Sequence, residues 1–146
     1  MGQSLSRIYI HLVFSTKNRA PYIDKEIESK LHRMMSSVLG KFKCQVLGIG
    51  GTHNHVHCLF EMTRIHSMSS IVEKLKSNSS SWIKTQSQKY SSFFWQNGYG
   101  AFSVSESHVE SVRQYILNQK KHHAGNSFKE EYIELLNVHS IDYDEE

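Results

Sequence analysis

Proline is almost absent from this sequence, and glycine is sparse. Pro21 is the only proline among 146 residues, and 8 residues are glycine. No linker, low-complexity stretch or internal repeat is visible. With 38% hydrophobic residues, a chain of this length can bury one core but is too short for two ordinary domains. We therefore expect a single domain over residues 1–137 and an acidic tail over 138–146.

Cysteine and long apolar runs are also scarce. Cys44 and Cys58 have no close-spaced pattern, which fits buried, reduced thiols better than a disulfide scaffold. The sequence has no apolar stretch of the length that a membrane span needs, and no signal-like amino terminus. We therefore expect a cytoplasmic protein that does not cross a membrane.

Basic residues are missing from the end of the chain. Residues 130–146 hold 7 acidic side chains and no lysine or arginine, whereas residues 1–129 hold all 17 basic side chains and 7 acidic ones. The net charge of +3 therefore divides into +10 and −7. A body this basic indicates a polyanionic partner, most simply a nucleic acid, although a solvated basic surface explains the charge alone equally well.

Hydrophobic spacing predicts the secondary structure. Period-two alternation around Leu12 indicates a strand, and helical spacing between Asp24 and Gly40 indicates a capped helix. A turn at 50–52 is expected to join two later strands. Strands are predicted at 7–16, 44–50 and 54–62, and residues 93–104 are predicted to be an irregular approach into a fourth strand. Further helices are predicted at 67–86, 105–121 and 128–136. This order predicts an α+β fold, a ferredoxin-like βαββαβ antiparallel sheet with helices on one face, plus C-terminal helices.

Two histidines, His55 and His57, flank one valine inside a predicted strand. Because successive side chains on a strand point to opposite faces, both imidazoles share one face, while Val56 and Cys58 lie on the other. Two histidines at this spacing can hold a metal ion, and they can equally cap or pack a structural element. His53 is in phase with them but adjoins the turn, so we interpret it as a turn histidine.

Tyr115 and Gln119 are four residues apart on a predicted helix, so a phenol and an amide are aimed at the same place. A buried tyrosine beside a surface glutamine is the ordinary interpretation of such a pair. Together with His55 and His57, however, Tyr115 and Gln119 can also form a metal-dependent catalytic site. Two histidine nitrogens and a glutamine oxygen can hold a metal ion that leaves positions open for phosphate oxygens. A phenol beside that ion can attack a phosphodiester and form a phosphotyrosine link.

Three stretches of the sequence carry a resemblance to one family. They are His55-Val56-His57, the run from Trp95 to Ser105, and the run from Tyr115 to His123. In this order they closely resemble the single-tyrosine HUH transposases of hairpin-ended bacterial insertion sequences, of the insertion-sequence-two-hundred type. The resemblance extends over residues 4–136, so only the acidic tail lies outside it.

The resemblance implies a homodimer with a ferredoxin-like fold that binds imperfect hairpins near element ends. It implies cleavage and rejoining of single-stranded DNA with Mg2+ or Mn2+, in the cytoplasm of a bacterium or archaeon. It further implies that His55, His57 and Gln119 bind the metal, and that Tyr115 is the nucleophile that becomes linked to the 5′ phosphate. In the family the tyrosine helix can complete the partner subunit's active site, and a monomer of that kind would be incompetent.

Asn54 departs from the family's pattern, because an acidic residue is expected before the first histidine. A contact that orients an imidazole is therefore expected to be altered. The ligand set is also less oxygen-rich than Mg2+ prefers, and by ligand type alone Mn2+ or Zn2+ fits equally well. The identity of the metal therefore depends on the resemblance.

Several basic side chains are candidates for DNA contacts. Lys120, Lys121 and His122 end the helix that carries the tyrosine, where the helix dipole also favours cations. His11 on the first strand can approach the site or DNA, or serve as a structural histidine. Further candidates for hairpin binding are Lys84, Lys89 and Arg19.

Three alternatives to a metal-dependent tyrosine DNA-strand transferase stay open. A non-catalytic hairpin-binding module would show salt-dependent binding that needs neither Tyr115 nor a metal. A small zinc protein would use His55, His57 and a cysteine, but Cys58 is predicted to point away from the histidine face. A domesticated relative acting on chromosomal palindromic repeats would differ in its genomic context and not in its sequence.

Overall fold

The computed structural model describes residues 2–122 and 127–143, without the side chain of His122. Four strands form one sheet in the order β2-β3-β1-β4, and every neighbouring pair is antiparallel. The strands are β1 (Tyr9–Ser15), β2 (Gln45–Thr52), β3 (His55–Glu61) and β4 (Gly100–Val104). The helices are α1 (Glu28–Lys41), α2 (Met68–Gln86), α3 (Val109–Leu117), α4 (Gln119–His122) and α5 (Phe128–Val138). The predicted α+β class and the βαββαβ order with additional C-terminal helices are confirmed.

One face of the sheet carries the main hydrophobic core. Leu12 and Phe14 of β1 and Cys58 and Phe60 of β3 point to this face and pack against α1 and α2. Each fully buried phenylalanine or leucine stabilises the fold by roughly 1.5–3 kcal/mol relative to an exposed one. The apolar residues whose helical spacing predicted α1 and α2 are therefore the residues that pack against the sheet.

The three C-terminal helices cover the opposite face of the sheet. α3 and α4 lie over β2, and α5 packs Phe128 and Leu136 against Val13 and Phe102 in a second, smaller core. Because side chains alternate along a strand, the histidines of β3 point into this second layer. The sheet is thus covered on both faces, and the histidine pair is enclosed between the sheet and the C-terminal helices.

The connection between β2 and β3 lies at residues 53–54, and the predicted turn at 50–52 is wrong. Gly50 and Gly51 are buried inside β2. A Cβ atom at Gly50 would clash with the carbonyl oxygen of Ile116 in α3. This glycine therefore permits a close approach of helix and strand and does not form a turn.

The predicted helix at 105–121 is interrupted at Asn118, which separates α3 from α4. Asn118 has a φ of −104° and a ψ of 23°, and its N–H donates to the carbonyl oxygen of Gln114 at 3.1 Å. Asparagine is a poor helix residue, which favours a break at this point. Tyr115 and Gln119 consequently lie on two consecutive helices.

The end of the chain is described only in part. α5 ends at Val138, and residues 144–146 of the predicted acidic tail lie outside the described residues. Within residues 2–122 and 127–143, no helix combines the length and the apolar character that a membrane crossing requires.

Candidate active site

His55 and His57 of β3 are completely buried, and both imidazoles lie on the face that the C-terminal helices cover. Their ring centroids are 5.0 Å apart. The strand register places Ser15 opposite His55 and Val13 opposite His57 on the central strand β1. The pair is therefore fixed by backbone pairing on both sides of β3.

The imidazole of His55 is held at both nitrogens. Its Nδ1 lies 2.8 Å from Oδ1 of Asn54 and 3.0 Å from Oγ1 of Thr52, and its Nε2 lies 3.0 Å from Oε1 of Gln119. The ring of Phe128 stacks on it with centroids 4.4 Å apart. Asn54 thus supplies the side-chain oxygen that was expected from an acidic residue at this position.

The imidazole of His57 lies between a histidine and a carboxylate. Its Nδ1 is 2.7 Å from Nε2 of His11, and its Nε2 is 3.0 Å from Oε1 of Glu131. Burial of His11, followed by the charge of His57, lowers the pKa of His11 from 6.5 to about 3. His11 is therefore neutral near pH 7, and it approaches the site, as one of the two alternatives from the sequence predicted, through its contact with His57.

Glu131 of α5 is a site residue that the sequence did not reveal. Its side chain is buried, Oε1 lies 3.4 Å from Nε2 of His55, and the other oxygen accepts a hydrogen bond from the hydroxyl of Tyr115. Burial alone would raise the pKa of this carboxyl, but hydrogen bonds with His55 and His57 outweigh burial and lower it. The carboxylate is therefore ionised and contacts both histidines and the tyrosine.

One signal in the sequence could have identified Glu131. α5 has an apolar stripe that includes Phe128 and Leu135, and Glu131 lies at helical spacing between them. A carboxylate inside an apolar stripe is uncommon without a buried partner.

The phenol of Tyr115 lies against the same cluster. Its ring is perpendicular to that of His57, with centroids 5.9 Å apart. Burial, and next the hydrogen bond to Glu131, raise the pKa of Tyr115 above its ordinary value. In this arrangement the phenol keeps its proton and is oriented by the carboxylate.

Gln119 is almost fully buried, so the alternative of a surface glutamine is wrong. Its Oε1 faces His55, and its Nε2 lies 3.5 Å from the carbonyl oxygen of Tyr115. The structure therefore brings Tyr115, Gln119, His55 and His57 together in one chain.

The chemistry of these groups fits a divalent cation. Ligand atoms of His55, His57 and Glu131 lie within 4.8 Å of one another, and this buried group could bind a metal. When each histidine instead donates from Nδ1, to Asn54 and His11 respectively, its Nε2 no longer donates to Glu131, and both Nε2 lone pairs point at the same place as a carboxylate oxygen. Such a convergence of acceptors suits a cation.

Cys58 does not take part in this cluster. It is buried in the core on the other face of the sheet, and burial raises the pKa of its thiol to about 12. The zinc site built from the two histidines and this cysteine is therefore wrong.

Two of the predicted DNA contacts are engaged in ion pairs within the chain. Nζ of Lys89 lies 2.7 Å from a carboxylate oxygen of Glu26, and Nζ of Lys120 lies 2.8 Å from one of Glu28. Both amines are near the surface, where such pairs are weak and can exchange for phosphate.

The other predicted DNA contacts differ in their surroundings. Nζ of Lys84 lies 4.1 Å from the centroid of the Phe94 ring, and Lys121 is exposed on α4. The side chain of His122 lies outside the described residues. Arg19 lines a cavity of about 620 Å³ that also reaches Phe128, the residue stacked on His55.

The sequence matches one known protein family. The model of the family described as "Transposase IS200 like" matches residues 4–119. A search of the curated proteins found no match.

Two solved structures are similar to this chain. A proposed transposase of Deinococcus radiodurans R1 is 22% identical, with a TM-score of 0.64 over 82% of this chain and 96% of that one. A REP-associated tyrosine transposase bound to a REP hairpin is 12% identical, with a TM-score of 0.57 over 80% of this chain and 70% of that one. At these identities the similarity shows a shared fold, whereas the family match covers most of the sequence. This chain belongs to the family of IS200-like transposases.

Proposed function

We propose that this protein is a DNA transposase that cleaves and rejoins single-stranded DNA at hairpin-bounded element ends through a covalent 5′-phosphotyrosine at Tyr115. The observation that carries the proposal is the convergence of the half-buried Tyr115 with the buried His55 and His57 in one cluster of an IS200-like chain. A phenol is an uncommon nucleophile, because its pKa is near 10 and it needs help to ionise.

The proposed chemistry exchanges one phosphodiester for another. The hydroxyl of Tyr115 loses its proton to solvent, and the bond between the tyrosine oxygen and phosphorus forms. The bond between phosphorus and the 3′ oxygen breaks, and that oxygen takes a proton from water to leave a 3′-hydroxyl. Attack of a second 3′-hydroxyl on the phosphotyrosine reverses these changes and joins DNA without ATP.

We assign His55, His57 and Gln119 as the groups that would hold Mg2+ or Mn2+. When bound, such an ion polarises the phosphoryl group and offsets its developing negative charge. Asn54 orients the imidazole of His55, and His11 orients that of His57; each contact is made to the Nδ1 atom of the imidazole. The sheet and α5 bury the cluster, which strengthens its electrostatic interactions.

Hairpin DNA is the proposed partner. The similar REP-associated transposase is bound to a hairpin, and the basic body of this chain suits a polyanion. The DNA contacts at Arg19, Lys84, Lys89, Lys120, Lys121 and His122 remain predictions. The homodimer and the cytoplasmic location are likewise predictions.

A second candidate is a hairpin-binding relative that acts on chromosomal palindromic repeats. Similarity to a transposase bound to a REP hairpin favours it. The candidate shares the hairpin ligand, and in its non-catalytic form it needs neither Tyr115 nor metal.

An assay with labelled hairpin single-stranded DNA and Mn2+ tests the proposal. We expect a denaturation-resistant adduct with the unmodified protein and with Tyr22→Phe, a control on the other side of the sheet. We expect no adduct with Tyr115→Phe. Hairpin binding without any adduct in the unmodified protein would favour the non-catalytic candidate instead.

A further inference from the structure

Glu131 connects the two halves of the candidate site. We propose that Glu131 is a further protein ligand of the divalent cation and that its second oxygen positions the hydroxyl of Tyr115. The inference rests on the proposed function, which assigns the cation to His55, His57 and Gln119. It adds a carboxylate that joins the metal site to the nucleophile.

The assignment is based on the contacts of the two carboxylate oxygens of Glu131. Oε1 of Glu131 lies 3.0 Å from Nε2 of His57 and 3.4 Å from Nε2 of His55, while Oε2 accepts the hydrogen bond from Tyr115. One oxygen thus faces the imidazole nitrogens, and the other faces the phenol. Glu131 as a whole is only 5% exposed, so this arrangement is enclosed in the protein.

A carboxylate corrects the chemical weakness of the other ligands. Two imidazoles and an amide from Gln119 are neutral and contain one oxygen. Mg2+ and Mn2+ prefer oxygen ligands, and carboxylates are the commonest of these in proteins. Adding Glu131 gives the site one negative charge and a second protein oxygen, which favours a divalent cation over an empty site.

The helix that carries Glu131 lies outside the matched family residues 4–119, so the family comparison does not assign this residue. α5 is nevertheless fixed at the site. Oγ of Ser127 accepts a hydrogen bond from the N–H of Glu130 at 3.2 Å, and Phe128 stacks on His55. Leu136 anchors the other end of the helix in the smaller core. These contacts do not involve the Glu131 carboxylate, so we expect Glu131→Gln to fold.

Mn2+ affinity, measured by calorimetric titration of the full chain without DNA, tests the inference. Loss of groups that merely orient metal ligands lowers affinity by about 10–100-fold, so we expect Glu131→Gln to lower it at least about tenfold. Glu131→Asp keeps the charge on a shorter side chain and should bind with intermediate affinity. Glu134→Gln, an exposed carboxylate one turn along α5, should bind like the unmodified protein. Thermal unfolding of each variant checks its fold.

The outcomes separate this inference from the proposed function. If His55→Ala abolishes Mn2+ binding but folded Glu131→Gln and Glu131→Asp both bind normally, the inference is overturned and the proposed function stands. If Glu131→Gln loses Mn2+ but the unmodified protein forms no adduct with hairpins, the inference stands and the proposed function fails. If the unmodified protein binds no Mn2+, the inference and the metal assignment both fail.

Discussion

Tyr115 donates a hydrogen bond to Glu131 of the same chain, and that carboxylate lies 3.0 Å from Nε2 of His57. In one chain, the side chain of Glu131 therefore links the candidate nucleophile Tyr115 to the candidate metal ligand His57. A partner subunit is not needed to bring these groups together, although the family resemblance allows an exchange of the tyrosine helix between subunits.

Complementation between two inactive variants distinguishes these arrangements. We expect co-expressed Tyr115→Phe and His57→Ala chains to form no covalent DNA adduct, because every chain lacks one part of its own site. In an arrangement shared between subunits, a mixed dimer would contain one complete site and regain activity. Co-expression of unmodified and Tyr115→Phe chains is the positive control, and restored adduct in the double-variant sample would refute the single-chain site.

His11 is expected to control the metal affinity of His57 without touching the metal. Its Nε2 lies 2.7 Å from Nδ1 of His57, so it accepts the hydrogen bond that fixes the orientation of that ring when His57 donates from Nδ1. We expect His11→Leu to weaken Mn2+ binding by about 10–100-fold, whereas His11→Gln keeps an acceptor and loses less. Calorimetric titration measures both, and unchanged affinity in folded His11→Leu would rule out this role.

Gly50 is expected to be intolerant of any side chain. A Cβ atom there would clash with backbone atoms of Ile116, on the helix that carries Tyr115. We expect Gly50→Ala to lower the free energy of unfolding by about 1–3 kcal/mol, as overpacking does. Gly40→Ala in α1 meets no atom within 4 Å, and it should be neutral or stabilising by up to about 1 kcal/mol. Denaturant unfolding of both variants makes the comparison, and equal effects would contradict it.

His32 is expected to make the protein less stable in acid. Its Nε2 is buried with no hydrogen-bond partner among the residues that the structure describes. Burial lowers the pKa of His32 below its ordinary value of 6.5, Glu28 opposes this and Lys120 adds to it. The unfolded chain therefore binds more protons than the folded chain just below pH 6.5, and stability falls as the pH is lowered through this window.

Replacing His32 should reduce this pH dependence. We expect His32→Leu to lower the slope of unfolding free energy against pH below 6.5, by at most about 1.4 kcal/mol per pH unit. Urea unfolding at several pH values provides the measurement. A slope identical to that of the unmodified protein would show that His32 is not protonated more readily on unfolding.

Local sequence patterns predicted the parts of this site that lie within a few residues of one another along the chain. Alternation along a strand placed His55 and His57 on a common face, and helical spacing brought Tyr115 near Gln119. Both patterns depend on backbone geometry over a few residues. The order of strands and helices could be predicted from the same apolar spacings, because apolar residues recur on the face of each strand or helix that is buried against the sheet or the core.

Contacts between distant elements were not predictable in this way. Glu131 reaches the histidines only because α5 packs across the sheet, and its neighbours Glu130 and Glu134 are chemically identical. The local pattern at Gly50 indicates a turn, whereas the role of this glycine is a close contact with α3, which no local pattern records. The positions of these residues follow from tertiary packing.

Identification of the residue that carries the DNA is the most direct test of whether Tyr115 is the nucleophile. The denaturation-resistant adduct formed with hairpin single-stranded DNA and Mn2+ is digested with nuclease and protease, and the modified peptide is sequenced by mass spectrometry. We expect a nucleotide joined through its 5′ phosphate to Tyr115. A nucleotide on any other residue, or the absence of an adduct from folded, Mn2+-bound protein that binds the hairpin, would contradict this role of Tyr115.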